Sequence, residues 1–188
     1  SLLPNELGRR IIAKLAAIAQ DHVIIACTPT AAYIAETTNE ADAQKVRGSY
    51  RVVKTVTDYQ TITEDFVKLT IFDPKLRCFE HVQQLGEFTN DAYIVASEAA
   101  WIDITNQGVH KGTTVAHLQE LLHVTPEETM VFGDGLNDLE LMAAGTFSFA
   151  MSNAFEEVKA AASFVTKSND ENGVLKTIEC LLPLQMNQ

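Results

Sequence analysis

One segment, residues 129–142 (TMVFGDGLNDLELM), constrains the fold of this chain more than any other stretch. Residues 129–132 are apolar or β-compatible. They run into Asp134, which has a glycine on each side, and apolar residues at helical spacing follow. This order predicts a buried strand that ends in a tight turn and opens a helix. Such a layout is typical of an active-site loop at the carboxyl edge of a parallel sheet.

Three polar side chains in this turn have the chemistry of a ligand site: Asp134, Asn137 and Asp138. A carboxylate at a strand tip between glycines allows backbone and ligand to approach closely, as a hard cation requires. The same residues also fit a solvated turn in which an aspartate caps the helix, or in which Asn137 and Asp138 close its first turn. The segment alone leaves both interpretations open.

Charge and cysteine content narrow the class of protein. The chain has 188 residues, a net charge of −11 and a pI near 4.8, which argue against a nucleic acid or an anionic membrane as partner. No apolar run approaches the length of a membrane span. The three cysteines are far apart and form no Cys-x-x-Cys pair, which favours a reducing cytoplasm over a disulfide framework or a zinc site.

The first part of the chain reads as an α+β unit. A helix is predicted from about residue 4, and strands are predicted at 22–27, 50–56 and 65–72. Two further strands, 92–97 and 100–105, flank a short turn and must be antiparallel. Thr28-Pro29 and Asp73-Pro74 are each predicted to open a helix, the second running to about residue 85.

The pattern changes after residue 105, where strands alternate with helices. Strands are predicted at 129–132, 147–151 and 164–166, with helices after Lys111, over 154–162 and over 174–182. This alternation predicts a parallel sheet with helices on its faces. The fold class is therefore α/β, with one domain at 1–105 and a second at 106–188.

Five short segments follow one another in the second domain: 108–112 (GVHKG), 131–138 (VFGDGLND), 149–154 (FAMSNA), 158–162 (VKAAA) and 168–174 (SNDENGV). In order and spacing they resemble the C-terminal half of a haloacid dehalogenase-superfamily phosphatase, in particular the Cof-type sugar-phosphate phosphatases. The resemblance implies that residues 106–188 are the C-terminal part of a Rossmann-like core. Residues 1–105 would be a cap domain with a largely antiparallel sheet.

The resemblance also implies roles for individual residues. Lys111 would clamp the phosphoryl group, for which an ammonium offers three donors and a positive charge. Asp134 would bind Mg²⁺ directly, and Asn137 would contact the phosphate or the substrate. Asp138 is assigned to the metal site as the residue that orients Lys111 or a metal-bound water. An ordinary surface lysine near a helix start remains the alternative for Lys111.

Four other polar residues are weaker candidates for the site. Asn153, at the predicted end of the next strand, fits a helix cap as well as a site residue. His110, His117 and His123 lack metal-ligand spacing, and surface or core roles are expected for them.

One family feature is missing from this sequence. The family carries an Asp-x-Asp segment whose first aspartate attacks phosphorus and whose second acts as general acid and base. The chain contains no Asp-x-Asp. It therefore reads as a fragment whose nucleophile lies upstream, or as a naturally truncated relative. Alternatively, residues 23–28 could be the family's core strand ending in a phosphate-binding Thr28.

The function predicted for the intact protein is magnesium-dependent hydrolysis of phosphomonoesters of small metabolites, with sugar phosphates as the expected substrates. The alternative is a non-catalytic phosphate-binding or regulatory relative that lost the nucleophile. A dinucleotide-binding domain is set aside because the chain has no Gly-x-Gly-x-x-Gly. Loss of a neighbouring strand would also leave the strand at 129–132 with an open edge, which predicts self-association. Capture of another segment and local disorder of residues 106–188 are the alternatives.

Overall fold

The computed structural model describes residues 1–185, which form two compact units. The first unit is Ser1–Val109, and the second begins at His110. The division lies close to residue 105, where the sequence pattern changes from mostly strands to alternating strands and helices. No helix within residues 1–185 combines the length and the apolar character needed to cross a bilayer.

The first unit is built on a six-stranded sheet, and the prediction of a largely antiparallel sheet is confirmed. Adjacent strands run antiparallel except β2 and β3, which are parallel. The order across the sheet is β3-β2-β1-β4-β6-β5. The strands are β1 Val23–Cys27, β2 Ala32–Ala35, β3 Val53–Val56, β4 Lys68–Phe72, β5 Ala92–Glu98 and β6 Trp101–Asn106.

Helices pack on both faces of this sheet because its strands alternate two sets of apolar residues. On one face, α1 (Asn5–Ile18) and α3 (Cys78–Gln83) pack against residues such as Ile71 and Ile102. On the other face, α2 (Glu40–Ser49) packs its Ala43 and Val46 against β1 and β2. This unit therefore has two apolar clusters, one on each side of a single sheet.

The prediction of a helix after Thr28-Pro29 is wrong. Thr28 instead closes a turn between β1 and β2: its backbone N–H donates to the carbonyl of Ala31, and its Oγ1 accepts from the N–H of Thr30 and Ala31. The next residues alternate buried and half-buried, which suits a strand. Because β1 is antiparallel to both neighbours, Thr28 is not the end of a parallel core strand, and that alternative is also wrong.

Asp73 does not open a helix directly either. Its buried carboxylate accepts from the N–H groups of Lys75 and Arg77, the arrangement of a turn, and Leu76 then adopts a left-handed φ of 60°. A leucine in that conformation cannot continue a right-handed helix. The helix begins only at Cys78, so the predicted element is shorter than the sequence suggested.

The second unit has a three-stranded parallel sheet, as the alternating pattern predicted. Its order is β7-β8-β9, formed by Met130–Gly133, Phe147–Met151 and Phe164–Thr166. The helices are α4 Lys111–Leu122, α5 Leu139–Met142, α6 Glu156–Ala161 and α7 Gly173–Gln185. Val131, Ala150 and Val158 are among the buried residues of its apolar cluster. Within the described residues β7 pairs with β8 alone and is an edge strand.

Candidate active site

Lys111 is the first residue of α4. The helix is capped by His110, whose Nδ1 accepts from the Thr113 N–H at 3.3 Å, while the Thr113 hydroxyl accepts from the His110 N–H at 3.1 Å. A cation at this end of a helix opposes the helix dipole, so its position favours a role other than helix stability. About half of the Lys111 side chain is exposed, with 49% relative accessibility.

The ammonium of Lys111 contacts two residues of the turn after β7. Its Nζ donates to Oδ1 of Asp138 in an ion pair and to Oδ1 of Asn137 at 3.3 Å. Asp138 is buried and Asn137 is half-buried. These contacts hold a partly exposed positive charge at the turn that follows β7.

Asp138 also shapes the backbone of the turn. Its Oδ2 accepts hydrogen bonds from the N–H groups of Asp134, at 2.9 Å, and Gly135, at 3.2 Å. The side chain lies so close under the strand end that a Cβ on Gly133 would sit 2.5 Å from the Cβ of Asp138. Gly133 is therefore needed for the close approach of this aspartate.

A second glycine brings the lysine and the turn together. A Cβ on Gly112 would lie 2.5 Å from the carbonyl oxygen of Glu140. Real Cβ atoms do not approach backbone oxygens so closely, so the start of α4 can pack on α5 at this distance only with glycine. This packing fixes Lys111 next to Asp138.

Asp134 follows the last residue of β7 and is half-buried. Its Oδ2 accepts from Nδ2 of Asn169 at 2.7 Å. The backbone N–H of Asn169 in turn donates to Oδ1 of Asn153 at 3.2 Å. The sequence analysis did not select Asn169 as a site residue. Its position after the third predicted strand was a usable signal, because the carboxyl ends of parallel strands lie at one edge of the sheet.

The donor set fits a magnesium ion as part of a site. Mg²⁺ prefers oxygen ligands, keeps several waters and needs only one or two carboxylates. Within the described residues Oδ1 of Asp134 accepts no hydrogen bond, whereas both oxygens of Asp138 are engaged by N–H donors. Asp134 is thus the better direct ligand, and Asp138 contacts Lys111. The described part of the chain contains no group of three or more His, Cys, Asp or Glu suited to a metal.

The histidines near this region have local roles. His110 caps α4, and His117 lies on the exposed surface of that helix beside Glu120. His123 ends the helix in a left-handed conformation with φ of 54°.

Comparison with known proteins identifies the family of this chain. Residues 1–178 match the family model described as haloacid dehalogenase-like hydrolase. The chain belongs to that family. The match covers both units and confirms the resemblance drawn from residues 108–174, together with the α/β core and α+β cap architecture.

Several relatives of this chain are named as phosphatases. The 5-amino-6-(5-phospho-D-ribitylamino)uracil phosphatase YbjI of Escherichia coli K12 is 34% identical over 163 residues, which are 85% of this chain and 59% of the relative. The chain therefore spans less than two thirds of that protein's length.

Solved structures give the same result at the level of the fold. SMU.1108c from Streptococcus mutans UA159 superposes with a TM-score of 0.88 at 29% identity, over 97% of this chain and 70% of that one. The subclass IIB sugar phosphatase BT4131 superposes with a TM-score of 0.81 at 24% identity, over 96% and 68% of the two chains. At that identity the second likeness concerns the fold alone.

Proposed function

We propose that the intact protein is a magnesium-dependent phosphatase that hydrolyses phosphomonoesters of small metabolites, with phosphorylated sugars and sugar alcohols as the substrate class. The observation that carries the proposal is the contact of the Lys111 ammonium with Asp138 and Asn137, in the turn that also carries Asp134 at the carboxyl edge of a parallel sheet. Cation, amide and carboxylate at one strand edge suit an incoming phosphoryl group and its metal.

Each residue has a part in this chemistry. Lys111 binds phosphoryl oxygens as a fixed positive charge, and the Asn137 side chain donates to the phosphate or to the substrate. Asp134 ligates Mg²⁺, which when bound neutralises charge on the phosphoryl oxygens. Asp138 holds Lys111 and the turn in place, so its contribution to the metal site is indirect.

The nucleophilic aspartate is proposed to lie outside these 188 residues. The sequence has no Asp-x-Asp, and the chain spans 59% of the length of YbjI. The reaction would proceed through an aspartyl-phosphate formed on that residue. The first unit, Ser1–Val109, would act as the cap and residues 110–188 as part of the core, in a reducing cytoplasm.

A second candidate is a phosphate-binding relative without catalysis. The observation that favours it is the same missing Asp-x-Asp, because a chain that retains Lys111 and Asp134 without a nucleophile could still bind phosphate and metal. The two candidates differ in a single measurable property, which is turnover.

The test uses the protein encoded by the full reading frame that contains this chain. Phosphate release is measured with Mg²⁺ or with EDTA on a panel that includes 5-amino-6-(5-phospho-D-ribitylamino)uracil, the substrate in the name of YbjI. Lys111→Ala and Asp134→Asn should each lower kcat/KM by about 100-fold or more. Lys176→Ala, which removes an exposed lysine on α7, is the matched control. Retained binding of inorganic phosphate without any turnover would favour the second candidate.

A further inference from the structure

The loops after all three strands of the parallel sheet are joined by side-chain hydrogen bonds. Asp134 follows β7, Asn153 follows β8, and Asn169 follows β9. Asn169 links the other two: its Nδ2 donates to Oδ2 of Asp134 at 2.7 Å, and its backbone N–H donates to Oδ1 of Asn153 at 3.2 Å. The proposed metal ligand is thus tied to both neighbouring loops.

The position of Asn169 is itself fixed locally. It begins a short 3₁₀ turn, Asn169–Glu171, in which the Glu171 carboxylate accepts from the backbone and side chain of Ser168. The N–H of Gly173 also donates to the Ser168 carbonyl at 3.0 Å. The side chain of Asn169 therefore projects from an anchored backbone, as a residue that holds another in place must do.

The chemistry of the contact suits a metal ligand. An aspartate at a strand tip can rotate about χ1 and χ2, and a cation binds it more strongly when one orientation is already populated. The neutral amide of Asn169 holds Oδ2 without adding a positive charge that would repel the ion. Within the described residues Oδ1 of Asp134 accepts no hydrogen bond, so it is the oxygen left to the cation.

We propose that Asn169 is a positioning residue that orients the Asp134 carboxylate for Mg²⁺; the inference rests on the proposed metal role of Asp134. Asn169 does not touch the reacting atoms, and it acts through the carboxylate alone. Asn153 supports it by fixing the loop that carries it.

The experiment compares the protein encoded by the full reading frame that contains this chain with its Asn169→Ala variant by NMR. Scalar couplings report the χ1 rotamers of Asp134 without metal, and a MgCl₂ titration followed at the Asp134 and Gly135 amides reports affinity. In the Asn169→Ala variant we expect the Asp134 side chain to average over several χ1 rotamers instead of holding one. We also expect the Kd for Mg²⁺ to rise about 10-fold relative to the parent. Asp170→Asn, an exposed neighbour in the same turn, is the matched control and should change neither quantity.

Thermal unfolding separates positioning from a general loss of structure, since the Tm of Asn169→Ala should stay close to that of the parent. Two results would overturn this inference alone, provided that the parent protein binds Mg²⁺. The Asn169→Ala variant could bind Mg²⁺ as tightly as the parent, or it could keep a single Asp134 rotamer. If Mg²⁺ shifts the resonances of neither chain, the metal role of Asp134 fails and the inference fails with it. The two failures are thereby distinguished.

Discussion

Lys111 and Asp138 lie 27 residues apart in the sequence and form an ion pair between the first residue of a helix and a buried carboxylate. The pair exists because two glycines allow it. Gly112 lets the helix approach the carbonyl of Glu140, and Gly133 leaves room for the Asp138 side chain beneath the strand end. The proposed phosphate site therefore depends on backbone packing as much as on its charged groups.

The first prediction tests this packing. Gly112→Ala places a Cβ 2.5 Å from the Glu140 carbonyl oxygen, so backbone must shift, and we expect a loss of about 1–3 kcal/mol in the free energy of unfolding. Gly48→Ala is the control, because a Cβ there meets nothing within 4 Å and alanine favours the α2 helix by about 0.5 kcal/mol or more. Urea denaturation measures both, and equal stability of Gly112→Ala and parent would contradict the packing argument.

The second prediction concerns turnover by these 188 residues alone. Because the sequence contains no Asp-x-Asp, we expect no magnesium-dependent hydrolysis of p-nitrophenyl phosphate above background. A phosphate-release assay on repurified protein is the measurement. Activity that survives repurification and disappears in Asp134→Ala would mean that the chain contains its own nucleophile.

The third prediction concerns the metal. Asp134 is the carboxylate proposed to ligate Mg²⁺, and the described residues hold no cluster of three or more candidate ligands. One carboxylate leaves most of the octahedral shell to water, so binding by the isolated chain should be weak. Isothermal titration calorimetry provides the measurement. Tight binding at one ion per chain would show that further ligands come from within these residues.

The fourth prediction concerns pH and the first unit. Burial, with the nearby His81 as a second cause, lowers the pKa of His22, whose two ring nitrogens are buried with no hydrogen-bond partner among the described residues. Asp73 and Asp21 oppose this shift, and Arg77 adds to it. The unfolded chain, with a histidine pKa of about 6.5, takes up a proton that the folded chain resists. Stability should therefore fall as the pH decreases below about 6.5.

The measurement is the urea unfolding free energy between pH 7.5 and pH 5. The slope of the unfolding free energy against pH that is assigned to His22 is at most about 1.4 kcal/mol per pH unit. This contribution should vanish in His22→Phe. His117→Phe is the control, since this histidine is exposed on α4. The same slope in His22→Phe and parent would contradict the assignment.

The fifth prediction concerns association. In the described residues β7 pairs on one side only, and an open strand edge readily pairs with another strand. We expect these 188 residues to self-associate through this edge. Light scattering at micromolar concentration should show a mass above 20.7 kDa, and exchange of the amides of residues 130–132 should slow as concentration rises. A monomer in which these amides are protected at every concentration would contradict this expectation.

The sequence by itself determined the elements whose signals are local. Strands β8 and β9 have the predicted bounds, because each is an apolar run closed by turn residues. The turn at Asp134 and the parallel arrangement of the second unit also followed from order and spacing. The five motif segments identified the family for the same reason, because their order and spacing can be read from the sequence alone.

The tertiary structure decided what depends on contacts between distant residues. Thr28 closes a hairpin rather than capping a helix because β1 finds antiparallel partners on both sides. The Asp73 carboxylate contacts the side chains of Arg77 and His81 in addition to the backbone of its own turn. Leu76 has a left-handed φ, so the helix begins only at Cys78. The link between Asn169 and Asp134 joins loops 35 residues apart. No local pattern encodes such a contact, because it forms only when three strands align their carboxyl ends.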